Sequence, residues 1–151
     1  MNQSVQVNVR YVHPVWENAP MTYSTQDAVG LDLKACLDRD MLIQPGKREA
    51  VPAGVAIEIL TPGIAGFIFS RSGLGTKEGL TVSQGVGVID PDYRGEIIVS
   101  LLNTSTTERW VRPGQRIAQL LFMPALQARL FAVTSLSSTA RGEGGFGHTG
   151  K

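Results

Sequence analysis

Arg141 and Phe146 stand five residues apart in a terminal stretch, Arg141 to Gly150, half of which is glycine. A guanidinium pairs with oxyanions, an aromatic ring stacks on flat groups, and glycine lets the backbone approach a bound molecule where a Cβ would intrude. A strap with this content, Gly147 included, suits a nucleotide. Four other places offer complementary chemistry. Ser70-Arg71-Ser72-Gly73-Leu74-Gly75 ends the apolar run Phe67-Ile68-Phe69 with a guanidinium, two hydroxyls and glycine-exposed amides, which reads as a phosphate cradle. Asp32 alternates with Leu31 and Leu33, so its carboxylate leaves the apolar face for the solvent or ligand side. Asp90 and Tyr93 flank the turn set by Pro91, at the end of the hairpin-like stretch that starts at Gly85. There a carboxylate, ionised at neutral pH, can orient a water while the ring packs on a sugar. Gln119 interrupts the apolar segment Ile117 to Phe122, where its amide needs hydrogen-bond partners if buried; core satisfaction and ligand contact are both open. Taken singly, each of these also fits a surface turn, a solvated strand residue or a loose tail.

The elements that must position these groups read as strands. Val5, Val7 and Val9 share a face by period-two alternation, as do Leu31, Leu33, Ala35 and Leu37, and then Val55, Ile57 and Ile59. The runs 67–69, 97–102 and 117–122 are short, β-branched or aromatic, and bounded by Gly, Pro and Asn. Pro45-Gly46-Lys47-Arg48 and Pro113-Gly114-Gln115-Arg116 predict two similar turns, each feeding a strand. Only Ser72 to Gly79 has room for a helical turn or two. Many short strands with turn signals between them predict an all-β sandwich, barrel or jelly roll. The expected organisation is one domain, 1–140, followed by a flexible glycine-rich arm, 141–151.

Composition narrows the function classes. With 151 residues and 42% hydrophobic content, one domain can bury a core without staples. The single cysteine, Cys36, excludes an internal disulfide and is expected to be a small buried or interfacial residue. With His13 and His148 it forms no set of zinc ligands at usable spacing. A net charge of +1 with scattered cations lacks the footprint of a duplex binder, so a nucleotide ligand would be small. No apolar run approaches the roughly 18 residues of a membrane span, and the polar start does not resemble a signal peptide. A cytoplasmic protein, bound neither to membrane nor to nucleic acid, is the expectation.

In combination these residues resemble the homotrimeric dUTPases, whose five motifs occur here in the family's order. They are Ala28-Val29-Gly30-Leu31-Asp32-Leu33-Lys34-Ala35, Ser70-Arg71-Ser72-Gly73-Leu74-Gly75, Gly87 to Ile97, Arg116-Ile117-Ala118-Gln119-Leu120, and the strap Arg141 to Gly150. The resemblance implies a distorted jelly-roll or β-barrel subunit and a homotrimer with sites shared among its chains. It implies hydrolysis of dUTP to dUMP and pyrophosphate, removing dUTP and supplying dUMP for thymidylate synthesis. It further implies that Asp90 orients the attacking water and bonds the sugar 3′-hydroxyl, and that Tyr93 stacks on the deoxyribose. Arg71, Ser72, Gly73 and Gln119 would bind the phosphates, and backbone groups of the hairpin at Gln84, Val86 and Gly87 would read uracil. Asp32 would touch, through water, a Mg²⁺ that the triphosphate itself holds. Arg141 would meet the terminal phosphate while Phe146 and Gly147 close over the base.

Three positions depart from the family's usual pattern. Val29 stands where alanine is common and is expected to be taken up by packing. Ser70 replaces proline, losing a fixed φ before Arg71, and Gln84 replaces the hairpin asparagine with a longer amide. Two rival readings have distinct requirements. A dCTP deaminase of the same fold needs an acid–base glutamate at the base edge, for which Glu96 is the only nearby residue. A non-catalytic nucleotide-binding module would leave Asp90 and Arg141 without a chemical role.

Overall fold

The structure, a computed structural model, describes residues 4–145. It contains eleven strands: β1 (Val7–Tyr11), β2 (Leu31–Lys34), β3 (Met41–Ile43), β4 (Arg48–Pro52), β5 (Val55–Ile59), β6 (Ile64–Ser70), β7 (Leu80–Val82), β8 (Gly87–Ile89), β9 (Ile98–Asn103), β10 (Arg109–Val111) and β11 (Arg116–Pro124). A 3₁₀ turn at Pro14–Trp16 and one π-helical turn at Leu74–Glu78 are the helical pieces, the second lying where the sequence leaves room for it.

The strands form a four-stranded sheet in the order β2-β11-β6-β8, a three-stranded sheet β4-β9-β7, and two ribbons, β1-β5 and β10-β3. All the pairings are antiparallel, and among the described residues no two consecutive strands pair. β2 with β11, β3 with β10 and β4 with β9 nest like the arms of one long hairpin folded over itself, which is the logic of a jelly roll. Each chain reversal therefore crosses to another sheet. The segment from Gly85 to Asp90, hairpin-like in sequence, is such a crossing: β7 pairs with β9 and β8 with β6, not with each other.

One apolar cluster contains a buried residue from every strand from β2 to β11, among them Leu33, Ile43, Val51, Val55, Ile68, Leu80, Ile89, Val99, Val111 and Leu120. Its size explains why the domain holds together without a disulfide. The turns at Pro45-Gly46 and Pro113-Gly114 form as expected. Gly46 and Gly114 adopt φ of 71° and 75°, and Lys47 and Gln115 donate their amides to the carbonyls of Gln44 and Arg112 at 3.0 Å. A proline followed by a left-handed glycine is the chemistry of a type II turn. Val5, Val7 and Val9 are less covered than the other alternating runs; Val9 is 40% exposed, and the three line an open cleft together with Leu31, Ile57 and Phe122.

Candidate functional site

The four-stranded sheet sets Asp32 and Gln119 side by side, because Gln119 of β11 is the register partner of Asp32 in β2. On its other edge β11 pairs with β6, Ala118 lying opposite Ser70, so Arg71 emerges beside the same spot. Residues 39 and 87 positions apart in the chain thereby converge. Arg71 donates from Nε to Asp32 Oδ1 at 2.8 Å, and Gln119 donates from Nε2 to the Ser70 carbonyl at 3.0 Å. Gln119 thus has one structural bond while its amide also faces a cavity of about 350 Å³ lined by Asp32, Arg71, Ser72 and Gly73. Gly30 leaves room for that amide, since a Cβ there would collide with Gln119 Oε1.

Arg116 joins this cluster without having been assigned a role from sequence. Its Nη1 donates to Asp32 Oδ2 at 3.1 Å, so one carboxylate holds two guanidiniums. Strict alternation puts Arg116 and Gln119 on opposite faces of β11. The ladder to β2 is irregular between Arg116 and Ala118, however, and this bulge brings both to the cavity while Ile117 goes into the core. The only trace in the sequence is the adjacent apolar pair Ile117-Ala118, both buried. Because these ion pairs are partly solvated, each guanidinium is held loosely enough to exchange its carboxylate partner for a phosphate.

The third-motif residues lie elsewhere. Ile89 pairs with Gly66, so Asp90 stands opposite Ala65, six residues before Arg71 on β6 and roughly 20 Å away along the strand. Asp90 and Tyr93 are exposed, and the Tyr93 amide donates to the Asp90 carbonyl at 3.0 Å to close the turn. Gln84 and Val86 are exposed on the crossing loop, with Gly85 at φ 81°, and Gly87 packs on Ile68 of β6. One chain gathers Asp32, Arg71, Ser72, Gly73 and Gln119, and holds Asp90 and Tyr93 apart from them. Arg141 is exposed and donates from Nε to the Gly144 carbonyl at 2.9 Å, while Phe146 and Gly147 lie outside the described residues.

Two of the departures behave differently from expectation. Val29 is not taken up by packing; it is 71% exposed on the rim of the cavity. Ser70 does more than relax the backbone: its Oγ accepts the Val82 amide at 2.8 Å and ties the end of β6 to β7, a bond proline could not make. Gln84 accepts a hydrogen bond from the Ser83 hydroxyl at 3.0 Å. Glu96 is half-buried and accepts the Gly54 amide at 2.8 Å, so its carboxylate serves the backbone. Among the described residues no three His, Cys, Asp or Glu side chains are grouped to hold a metal, and no helix is long and apolar enough to cross a membrane.

A family profile described as dUTPase matches residues 17–150. The deoxyuridine 5′-triphosphate nucleotidohydrolase of Psychromonas ingrahamii is 46% identical over 129 residues, 85% of each chain. Among solved structures, a mutant dUTPase of Staphylococcus bacteriophage 80alpha with dUpNHpp superposes with a TM-score of 0.83 at 21% identity, covering 97% of this chain and 99% of that one. A mutant dUTPase from phage phi11 of S. aureus, described with a structural Mg(II) ion, gives 0.75 at 18% identity over 88% and 99%. These likenesses fix the jelly-roll-like fold, and with the matched profile and the bacterial relative they establish that the chain belongs to the dUTPase family.

Proposed function

We propose that this protein hydrolyses dUTP to dUMP and pyrophosphate, by attack of a water on the α-phosphorus. The observation that carries the reading is the cradle in which Arg71, Ser72, Gly73 and Gln119 surround a cavity, with Arg116 as a second guanidinium sharing the Asp32 carboxylate with Arg71. Such a set takes a chain of phosphates and stabilises charge that develops on them as the bond to the leaving pyrophosphate breaks. Asp90 orients the water and accepts its proton. Tyr93 packs on the deoxyribose, and the loop at Gln84, Val86 and Gly87 reads uracil. Arg141, with Phe146 and Gly147, closes the arm 141–151 over the bound nucleotide.

Mg²⁺ fits this donor set in one way. A hard ion that keeps several waters binds through one or two carboxylates plus substrate phosphates, and Asp32 is the lone carboxylate lining a cavity that also presents Arg71, Ser72, Arg116 and Gln119. Asp32 would meet the ion's waters, the phosphates would supply the remaining ligands, and the ion would neutralise phosphate charge.

A separation of roughly 20 Å between Asp90 and Arg71 cannot serve one α-phosphorus within one chain. The reading therefore includes association, a homotrimer in which Asp90 and Tyr93 of one copy face the cradle of another. Leu126, Leu130, Phe131, Val133 and Leu136, all at least 65% exposed after β11, support association, since isolated domains rarely leave so much apolar surface uncovered. Engagement of Glu96 with Gly54 counts against the deaminase alternative, which needs that carboxylate free.

The test incubates purified protein and Mg²⁺ with dUTP, dCTP, dTTP and UTP separately, then separates nucleotides and detects pyrophosphate. Formation of dUMP and pyrophosphate from dUTP alone is expected. Asp90→Asn should lower turnover by about 10²–10⁴ with the fold intact, as for a lost acid–base group. Appearance of dUTP from dCTP, or near-normal turnover in that variant, would overturn the reading.

A further inference from the structure

The turn that carries Asp90 and Tyr93 is exposed from Asp90 to Arg94, so core packing does not fix its shape. Besides the bond from the Tyr93 amide to the Asp90 carbonyl, two ties fasten it to the β1–β5 side of the molecule. Arg94 donates from Nη1 to the carbonyls of Pro91 and Tyr93, at 2.7 and 3.2 Å, gripping the turn from inside its own arc. From Nη2 the same guanidinium reaches Glu58 Oε1 at 3.3 Å. The second oxygen of Glu58 accepts from Asn8 Nδ2 at 2.8 Å, and Asn8 and Glu58 are direct register partners in the β1–β5 ribbon. The other tie is at the end of the turn. Tyr93 Oη donates to the Glu96 carbonyl at 2.9 Å, and Glu96 holds the Gly54 amide at 2.8 Å. The tyrosine ring lies across Gly95, where a Cβ would run into it.

We propose that Arg94 is a positioning residue for the reaction: by joining the Pro91 and Tyr93 carbonyls to the Glu58–Asn8 anchor, it holds the carboxylate of Asp90 and the ring of Tyr93 in the relation that turnover and selection of deoxyribose require. The inference rests on the dUTP-hydrolysis reading. Arg94 points its donors at backbone carbonyls and at Glu58, so it acts through the turn and does not touch the reacting atoms. Selectivity follows because a ribose differs from deoxyribose by one hydroxyl, and excluding that hydroxyl depends on where the ring stands. The guanidinium makes its carbonyl and carboxylate contacts from two nitrogens in one rigid fork, a geometry that an ammonium cannot reproduce.

The experiment compares parent, Arg94→Ala, Arg94→Lys, Glu58→Ala and Asp90→Asn, measuring kcat and KM on dUTP and UTP together with amide hydrogen exchange in the absence of nucleotide. For Arg94→Ala, kcat on dUTP should fall by about 10- to 100-fold, the scale of a displacement near 1 Å, with KM little changed. The preference for dUTP over UTP should narrow, and the Tyr93 amide should exchange faster while amides of β9 and β11 stay protected. Arg94→Lys should recover part of the loss. Glu58→Ala, which leaves the guanidinium in place but removes its anchor, should show a smaller change in the same direction and carries the test if Arg94→Ala fails to fold. Parental turnover, selectivity and exchange in the folded variants would overturn the proposal, and so would a rise in KM at constant kcat, which would make Arg94 a substrate-binding group. An inactive parent or an active Asp90→Asn would remove the dUTP-hydrolysis reading instead, and this inference with it.

Discussion

Burial decides what Cys36 can do. It is 7% exposed, packed where Gly54, His13 and Trp16 meet, and desolvation pushes its thiol from 9.0 up to about 11, with the charge of Glu96 acting in the same direction. The neutral thiol is the form the fold accommodates. Since the folded value lies above the unfolded one, the associated stabilisation is complete below about pH 9 and is lost as pH rises towards 11. Two pKa units correspond to at most about 2–3 kcal/mol. Denaturant titrations of parent and Cys36→Ala from pH 8 to 11 should show a steeper decline in the parent. Parallel slopes would mean the thiol ionises without cost. At this scale the resemblance, not spacing, made the cradle legible: the motifs carrying Asp32, Arg71 and Gln119 imply a shared site, and the folded chain brings these three side chains to one cavity. Arg116 was not legible because its orientation depends on a bulge, and alternation presumes a regular ladder. The exposure of Val29 was equally hidden, because a rim position has the same neighbours in sequence as a packed one.

Ser70 shows how an element end can be secured by a side chain. The bond from the Val82 amide to its Oγ joins β6, in the four-stranded sheet, to β7, in the three-stranded sheet, immediately before the Arg71 cradle. Ser70→Ala leaves the Val82 amide without that acceptor. It should cost about 1–2 kcal/mol, or roughly 2–8 °C in Tm for a domain of this size, measurable by calorimetry. An unchanged Tm would show that water replaces the hydroxyl. Strands and turns were legible at this level because alternation and Pro-Gly pairs are local signals. Sheet order was not. Alternation in Leu31 to Leu37 or Val55 to Ile59 says which residues face inward and nothing about which strand lies alongside. The glycines around Val86 fit a closed hairpin as readily as a crossing between sheets.

For the whole molecule, the decisive geometry is the placement of Asp90 and Arg71 near opposite ends of β6. Sequence motifs give order along the chain but carry no distance, so nothing in them tells that the folded chain gathers the first, second and fourth motifs and holds the third apart. Exposed apolar residues from Leu126 to Leu136 and the open cleft at Val5, Val7 and Val9 are the surfaces an assembly would cover. The separation has a genetic consequence. Two alleles, one encoding Asp90→Asn and the other Arg71→Ala, should each be strongly impaired alone yet recover dUTP turnover when expressed in one cell. In the proposed trimer, a mixed assembly would pair an intact cradle from one product with an intact carboxylate from the other at about one site in three. Co-expressing the two variants and assaying dUTP turnover in the lysate would detect this intragenic complementation. Its absence, with mixed assemblies present, would mean that each chain works on its own.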